Sequence, residues 1–546
     1  MKSGLSYTVV IVTLLLFIRC NSANKNATDQ LGEINFPVHG NNKAQPFFQK
    51  GLLLLHSFEY EDAAENFIKA EQLDPACVMA YWGEAMTYNH PLWRQQDYDK
   101  GKDALDKLAT SPEERRSKAT SDLEKDFIAA VDQLYGKGSK AERDSMYAAY
   151  MAALYKKYPG NNEVAAFYSV ALLGSVEVGR DDKVYEHAAE IAKEVLSRNP
   201  NHPGALHYLI HSYDDPGHAA LALDAADKYS VIAPAAGHAL HMPSHIYLAL
   251  GMWDKVVSSN EASWSATVAR KQNKNLKNNA LGYHYFHWLQ YGYLQQGRKE
   301  DAKRLLEEMK VYCDTLPAKP ARKHLVYMKS TYLVESNDWN SDAANIPVDL
   351  SGLNIPTRAM YYFVEGMKSY NSRDGKALSE IILTLDGERL LEAQKVSGNS
   401  IGTCMSVNEN TTNLLDVQQA EVMELELCAV QAWLKKDTAG TDDFFRKATA
   451  LENSISYSFG PPVIVKPSNE LYGEWLIEIN KPKEALEQFN LSLKAAPNRV
   501  LSLSGKVKAA SMMGDKETVA QAEKTLQEIS SKGLQMAKNK NSYSKI

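Results

Sequence analysis

The chain has 546 residues, 44% of them hydrophobic and 23% charged, with a formal net charge of -6 at pH 7. This composition belongs to a folded protein and excludes a disordered or collagen-like one. The slight acidic excess supplies no electrostatic reason for nucleic acid as a partner.

The N-terminus is read first. MKSG precedes the apolar run SYTVVIVTLLLFI, and small residues follow as far as Ala23. Residues 1–23 therefore read as a secretory signal peptide, leaving 24–44 as an N-terminal extension. The expected location is outside the cell or in the lumen of the secretory pathway. The run is short for a spanning helix and no second one is long enough, so stable membrane insertion is not expected. Beyond Cys20, the four cysteines Cys77, Cys313, Cys404 and Cys428 are too few and dispersed for a disulfide scaffold. Cys404 with Cys428 is the most favourable single bridge, and Cys77 reads as a packing residue. Asn26, Asn410 and Asn490 begin acceptor sequons for N-glycosylation.

From Phe47 a pattern of small and aromatic residues begins. Phe47, Gly51, Ala63, Phe67, Ala70 and Pro75 have the spacing 4, 8, 20, 24, 27 and 32. Gly473, Ala485, Phe489 and Pro497 fall at 8, 20, 24 and 32 of the same frame. This pattern resembles the tetratricopeptide repeat, a helical hairpin that buries its apolar face only by stacking on its neighbours. The fold class expected is all-α, a superhelical solenoid of about eight to ten such hairpins with insertions. Its blocks are 45–387, which contains the histidine-rich stretches, and 417–532. Residues 388–416 read as a long loop or linker, and 533–546 as a flexible tail. Residues 94–130 read as an inserted helical excursion. FGPPVIVKP, 459–467, is an extended segment because its prolines exclude a continuous helix. It either covers a groove or joins two blocks.

Six of the 14 histidines lie in HYLIHSYDDPGH and HALHMPSHIYLALG. With Ala222, Val256 and Ala302 at position 20, His207, His241 and His287 share position 5. His211, His245 and Tyr291 share position 9, and His238 and His284 share position 2. In the family that the pattern resembles, these positions line the concave surface. Helical spacing directs each set to one side, and neighbouring first helices about 8–10 Å apart can bring imidazoles together. His56 and His90 occupy position 13 of earlier hairpins. Pro243 interrupts the second stretch, so a helix beginning near Met242 would leave His238 and His241 on the turn before it.

Seven histidines are thus candidate metal ligands: His207, His211, His238, His241, His245, His284 and His287. An all-imidazole set without thiolates points to copper or zinc. Two groups of three would suit a pair of coppers and oxygen chemistry, whereas one zinc would suit hydrolysis or a structural role. An imidazole-lined ligand pocket and structural hydrogen bonding remain open. Glu261 is a candidate general base, Tyr291 and Tyr208 are candidate hydrogen-bond donors, and Asp214 or Asp215 could orient an imidazole. His202 belongs to the turn before its helix. HExxH, GxGxxG and the phosphate-binding loop are absent from the sequence.

The strings LDPACVMAYWGEAMTYNHPLW, NHPGALHYLIHSYDDPGHAALALDAADKY and APAAGHALHMPSHIYLALGMWDKVVSSNEAS resemble a large group of histidine-containing tetratricopeptide proteins. The resemblance spans nearly all of the chain after residue 23. It implies the helical fold and brings no activity with it. Two classes of function therefore stand: a secreted metalloenzyme, oxidative or hydrolytic, and a scaffold that holds a peptide, small molecule or protein partner in its groove.

Overall fold

The computed structural model describes residues 30–398 and 412–543. Twenty-five α-helices account for most of them, and the sole sheet among the described residues is a two-residue ladder, Asn89–His90 with Gln95–Gln96. The helices pair as antiparallel hairpins stacked into a superhelix, the all-α repeat architecture expected. Its packing unit is visible at Phe67 on the helix Tyr60–Leu73. A Cβ on Gly51 of the same hairpin would lie 2.9 Å from that ring, and one on Gly83 of the next would lie 2.3 Å from it. Phe489 fills the same space between Gly473 and Gly505, at 2.9 and 2.2 Å. The aromatic of each second helix thus occupies room that small residues leave on two successive first helices.

Residues 94–130 do form an excursion of helices: Tyr98–Leu108, Pro112–Lys118 and Asp122–Leu134. The residues before the first hairpin are part of the core, since Phe36 is buried against Phe48, Trp82 and Phe127. Among the described residues no helix is long and apolar enough to cross a membrane.

The superhelix folds back on itself. Trp253 Nε1 donates to the Asn498 carbonyl at 2.9 Å, and Arg499 Nη1 donates to the Tyr291 hydroxyl at 3.0 Å and to Glu335 at 2.5 Å. Gly251, at φ +65°, ends its hairpin turn where a Cβ would come within 2.2 Å of the Pro497 carbonyl oxygen. Glycine meets both demands, a left-handed backbone and a close approach.

Two boundaries differ from expectation. The helix Gly375–Gly398 runs through residues 388–398, which the sequence reading gave to a loop; residues 399–411, Cys404 and Asn410 among them, lie outside the described part, as does Asn26. The helix Lys516–Tyr543 continues through 533–543 instead of ending in a loose tail, with Gly533 packed on Gln296. In both places helix propensity in an ordinary polar sequence was mistaken for a linker. Cys428 is a free thiol and Cys77 is buried, its thiol pushed up to about 11 by burial.

Candidate metal centre

His207 and His211 lie one turn apart on the helix Pro203–Ser212. His202 caps that helix, its Nδ1 accepting from the Ala205 amide at 3.1 Å, and Pro203 opens it where no amide donor is needed. The next hairpin begins with two short helices, Gly237–His241 and Pro243–Ala249. Met242 between them keeps helical dihedrals, so His238 and His241 are helical rather than on a preceding turn. Pro243 is tolerated because it starts the second helix. His284 comes from the helix Tyr283–Gln295.

Six imidazoles meet, as two triads: His207, His211 and His238, and His241, His245 and His284. Within each triad the ligand atoms lie within 4.8 Å of one another. The triads abut, with ring centroids 5.4 Å apart for His211 and His245 and 6.0 Å for His238 and His241. His207, His211, His238, His241 and His245 are buried, and His284 lies nearer the surface. The shared positions thus do bring imidazoles together, and they do so below the surface. The 455–467 segment lies over the cluster: Phe459 packs on His245, and Gly460 sits where a Cβ would be 2.5 Å from the Trp288 ring, itself stacked on His245. Of the two roles open to this segment, it covers the inner face.

The outer nitrogens of four of the buried rings have partners. His207 Nδ1 donates to the His56 carbonyl at 2.8 Å, His241 Nδ1 to Asn260 Oδ1 at 2.7 Å, and His245 Nδ1 to Asp214 Oδ2 at 2.5 Å. His238 Nδ1 meets the Tyr285 hydroxyl at 3.2 Å. With the Nδ1 protons of His207, His241 and His245 so committed, the Nε2 atoms of these three rings carry lone pairs. Those atoms face one another: His241 and His245 at 3.1 Å, His207 and His238 at 3.2 Å. The Nε2 of His211 is buried with no hydrogen-bond partner. Burial and then the neighbouring imidazoles hold His211 and His238 well below the usual histidine range, and burial lowers His207 to about 3. Clustered imidazoles, three of them oriented from behind by a carbonyl, an amide and a carboxylate, form a donor set that could hold a transition metal.

Three expected site residues are placed elsewhere. His287 Nε2 meets Thr331 Oγ1 at 2.9 Å and joins neither triad. Tyr291 is buried against Trp253 and Arg499, in the contact that folds the superhelix back. Glu261 accepts from the Tyr293 hydroxyl at 2.5 Å. The position in the repeat frame does not by itself decide which side chains reach the cluster: on the third hairpin His284 joins a triad while His287 is held by Thr331. Asp214 does orient an imidazole, but that of His245 on the following hairpin, while Asp215 pairs with His218 and Arg180.

A second buried group went unrecognised in the sequence. Glu163, on the helix Asn162–Ser175, accepts from His56 Nε2 at 2.8 Å and His202 Nε2 at 3.2 Å. The Tyr208 hydroxyl lies 2.9 Å from His56 Nδ1, which accounts for that tyrosine as a buried structural group. Gly204 makes room for His56, since a Cβ there would come within 2.3 Å of Nδ1. His90 stacks on Tyr60 at 3.9 Å, away from both groups.

No family model and no curated protein matches this chain. Among solved structures, a human IFIT1 dimer with m7Gppp-AAAA is 12% identical, with 92% of this chain and 91% of that one covered and a TM-score of 0.34. Yeast Tom70 is 10% identical over 87% of this chain and 89% of its own, with a TM-score of 0.27. At such distances neither likeness bears on function, and the architecture rests on the helices themselves.

Proposed function

We propose that this chain is a helical-repeat metalloprotein whose two histidine triads hold a pair of copper ions for the dioxygen-dependent oxidation of a small molecule. One observation carries this. His241 and His245 each commit the Nδ1 proton to an outer acceptor, so two lone pairs face each other at 3.1 Å. A cation between the rings turns that repulsion into ligation, and His207, His211, His238 and His284 extend the same donor set. Six imidazoles with no thiolate suit copper, which binds nitrogen sites most tightly among the divalent first-row metals. When bound, a copper pair supplies electron transfer to dioxygen. The chain's own groups do the rest: Asp214, Asn260 and the His56 carbonyl fix the rings, and Phe459 with Trp288 keeps bulk water off them. The proposal includes export, on the strength of the apolar run before Ala23.

The test is elemental analysis of natively purified, untagged protein with oxygen-uptake measurements. About two coppers per chain are expected, with loss of metal when His207→Ala and His241→Ala are combined. One zinc equivalent would replace the oxidative reading with a hydrolytic or structural one. No metal, and no tight uptake on reconstitution, would overturn the metal centre and leave a ligand or partner site.

A further inference from the structure

The histidine cluster is bordered by two half-exposed aromatic rings. Trp93, 44% exposed, stands edge-on to His238 at 5.9 Å and is propped by Tyr60 at 5.4 Å and Phe58 at 5.9 Å. Phe459, 45% exposed, lies 5.2 Å from His245 and 6.4 Å from His211. Each ring is therefore backed by the cluster or its neighbours while part of its surface stays open.

The two segments are also built and joined in a way that chance surface aromatics are not. Each ring-bearing residue is followed by one in the left-handed region, Arg94 at φ 53° and Gly460 at φ 98°. Such backbone in a non-glycine residue is costly and persists only where the surroundings demand it. The Arg94 guanidinium donates to the Gly179 carbonyl at 3.0 Å, and Gly179 packs so closely on Ser456 that a Cβ would reach its Oγ at 2.3 Å. Gly179 thus ties the Trp93 loop to the segment that carries Phe459. The nearby ions are turned inward: Asp214 to His245, and Asp215 to Arg180 and His218.

We propose that Trp93 and Phe459 are two walls of the entrance to the histidine cluster and select a flat, uncharged aromatic substrate of the phenol class. The inference rests on the metal-centre reading for its chemistry, but the binding it describes needs only the rings. Open aromatic surface favours a planar partner through offset or edge-to-face packing. Asp214 and Asp215 are paired and the Arg94 guanidinium is held by the Gly179 carbonyl, so an ionic ligand would have to give up its hydration against groups already engaged.

The test titrates phenol, cyclohexanol and benzoate into the protein as purified and into metal-stripped protein. Phenol is expected to bind tighter than either comparator. Trp93→Ala and Phe459→Ala are each expected to weaken phenol by about threefold to tenfold while leaving cyclohexanol nearly unchanged. Both side chains are half-exposed, so folding is checked by circular dichroism, and Trp93→Phe and Phe459→Tyr, which keep a ring, should retain most of the binding. No preference for phenol, or a preference that both alanine variants retain, overturns the inference even if copper is present. Selective phenol binding in a protein that takes up no metal sustains the walls and sinks only the metal centre.

Discussion

Two groups of buried histidines lie side by side in this molecule and end up as opposites. In the His56–Glu163–His202 group, both Nε2 protons point at one carboxylate, and the remaining nitrogens meet a tyrosine hydroxyl and a backbone amide. Donors meet acceptors and the network closes on itself. In the six-histidine cluster the protons of His207, His241 and His245 point outward and their lone pairs inward. Burial and residue type are the same in both. What differs is the side on which the acceptor stands: a carboxylate at the centre makes a structural bolt, and acceptors at the periphery leave a central place for a cation.

Removing the central carboxylate gives the largest expected effect. Glu163→Gln puts an amide donor against a ring N–H and should cost about 3–5 kcal/mol of stability at pH 7, the range for breaking a buried charged pair. Metal bound per folded molecule should be unchanged. The pH dependence has a definite sign. The imidazole donors hold the Glu163 carboxyl below its ordinary 4.5 against the opposing effect of burial. Its contribution is therefore complete above pH 4.5 and is lost as the pH falls through the depressed folded value. Denaturant titrations of both proteins should show the difference constant from pH 7 to 5 and shrinking below 4.5. A difference that persists at acid pH would mean that Glu163 acts by packing.

The repeat was legible because Gly51, Ala63, Phe67 and Pro75 report local packing at fixed spacing, and the same frame put His207, His211, His241 and His245 on one interior side. What the frame could not carry were the tertiary partners on the third hairpin, where His287 meets Thr331 and Tyr291 meets Arg499. Nor could it reach Glu163 or Phe459, whose partners are set by tertiary closure. Glu163 meets His56 across 107 residues. Phe459 arrives only because the C-terminal block folds back. Asp214 was partly legible: its polarity beside a histidine suggested an orienting role, but its own helix ends before it and the imidazole it meets is supplied by the next hairpin.

Weakening the peripheral acceptors should produce a smaller effect of a different kind. Asp214→Asn leaves a neutral acceptor behind His245 and should lower metal affinity by about 10–100-fold, the usual consequence of losing such a partner. Stability of the metal-free protein should change far less than for Glu163→Gln. Chelator competition measures the first and denaturant titration the second. If Asp214→Asn unfolded the protein as readily as Glu163→Gln, the two histidine groups would be doing the same job and the contrast between them would fail.

Tyr285 offers the finest probe, because its hydroxyl can either donate or accept. The carbonyl behind His207 and the carboxylate behind His245 dictate their tautomers, whereas the Tyr285 hydroxyl, 3.2 Å from His238 Nδ1, permits either for that ring. Gly282 seats this tyrosine, since a Cβ there would come within 2.3 Å of its ring. Tyr285→Phe keeps the ring beside His241 and removes only the hydroxyl. His238 then has no partner to fix its outer nitrogen, and a hydrogen bond of about 1 kcal/mol is lost, roughly a fivefold drop in metal affinity. In metal-free protein the same change leaves His238 free to carry its proton on Nε2 and donate it to His207 Nε2, so folding stability should hardly move. Nitrogen-15 chemical shifts of the His238 ring distinguish the tautomers directly. A shift to the Nε2–H form in the metal-free variant, reversed on metal loading, is the expected result; a ring that keeps its Nδ1 proton throughout would show that the hydroxyl plays no part in setting the lone pairs inward.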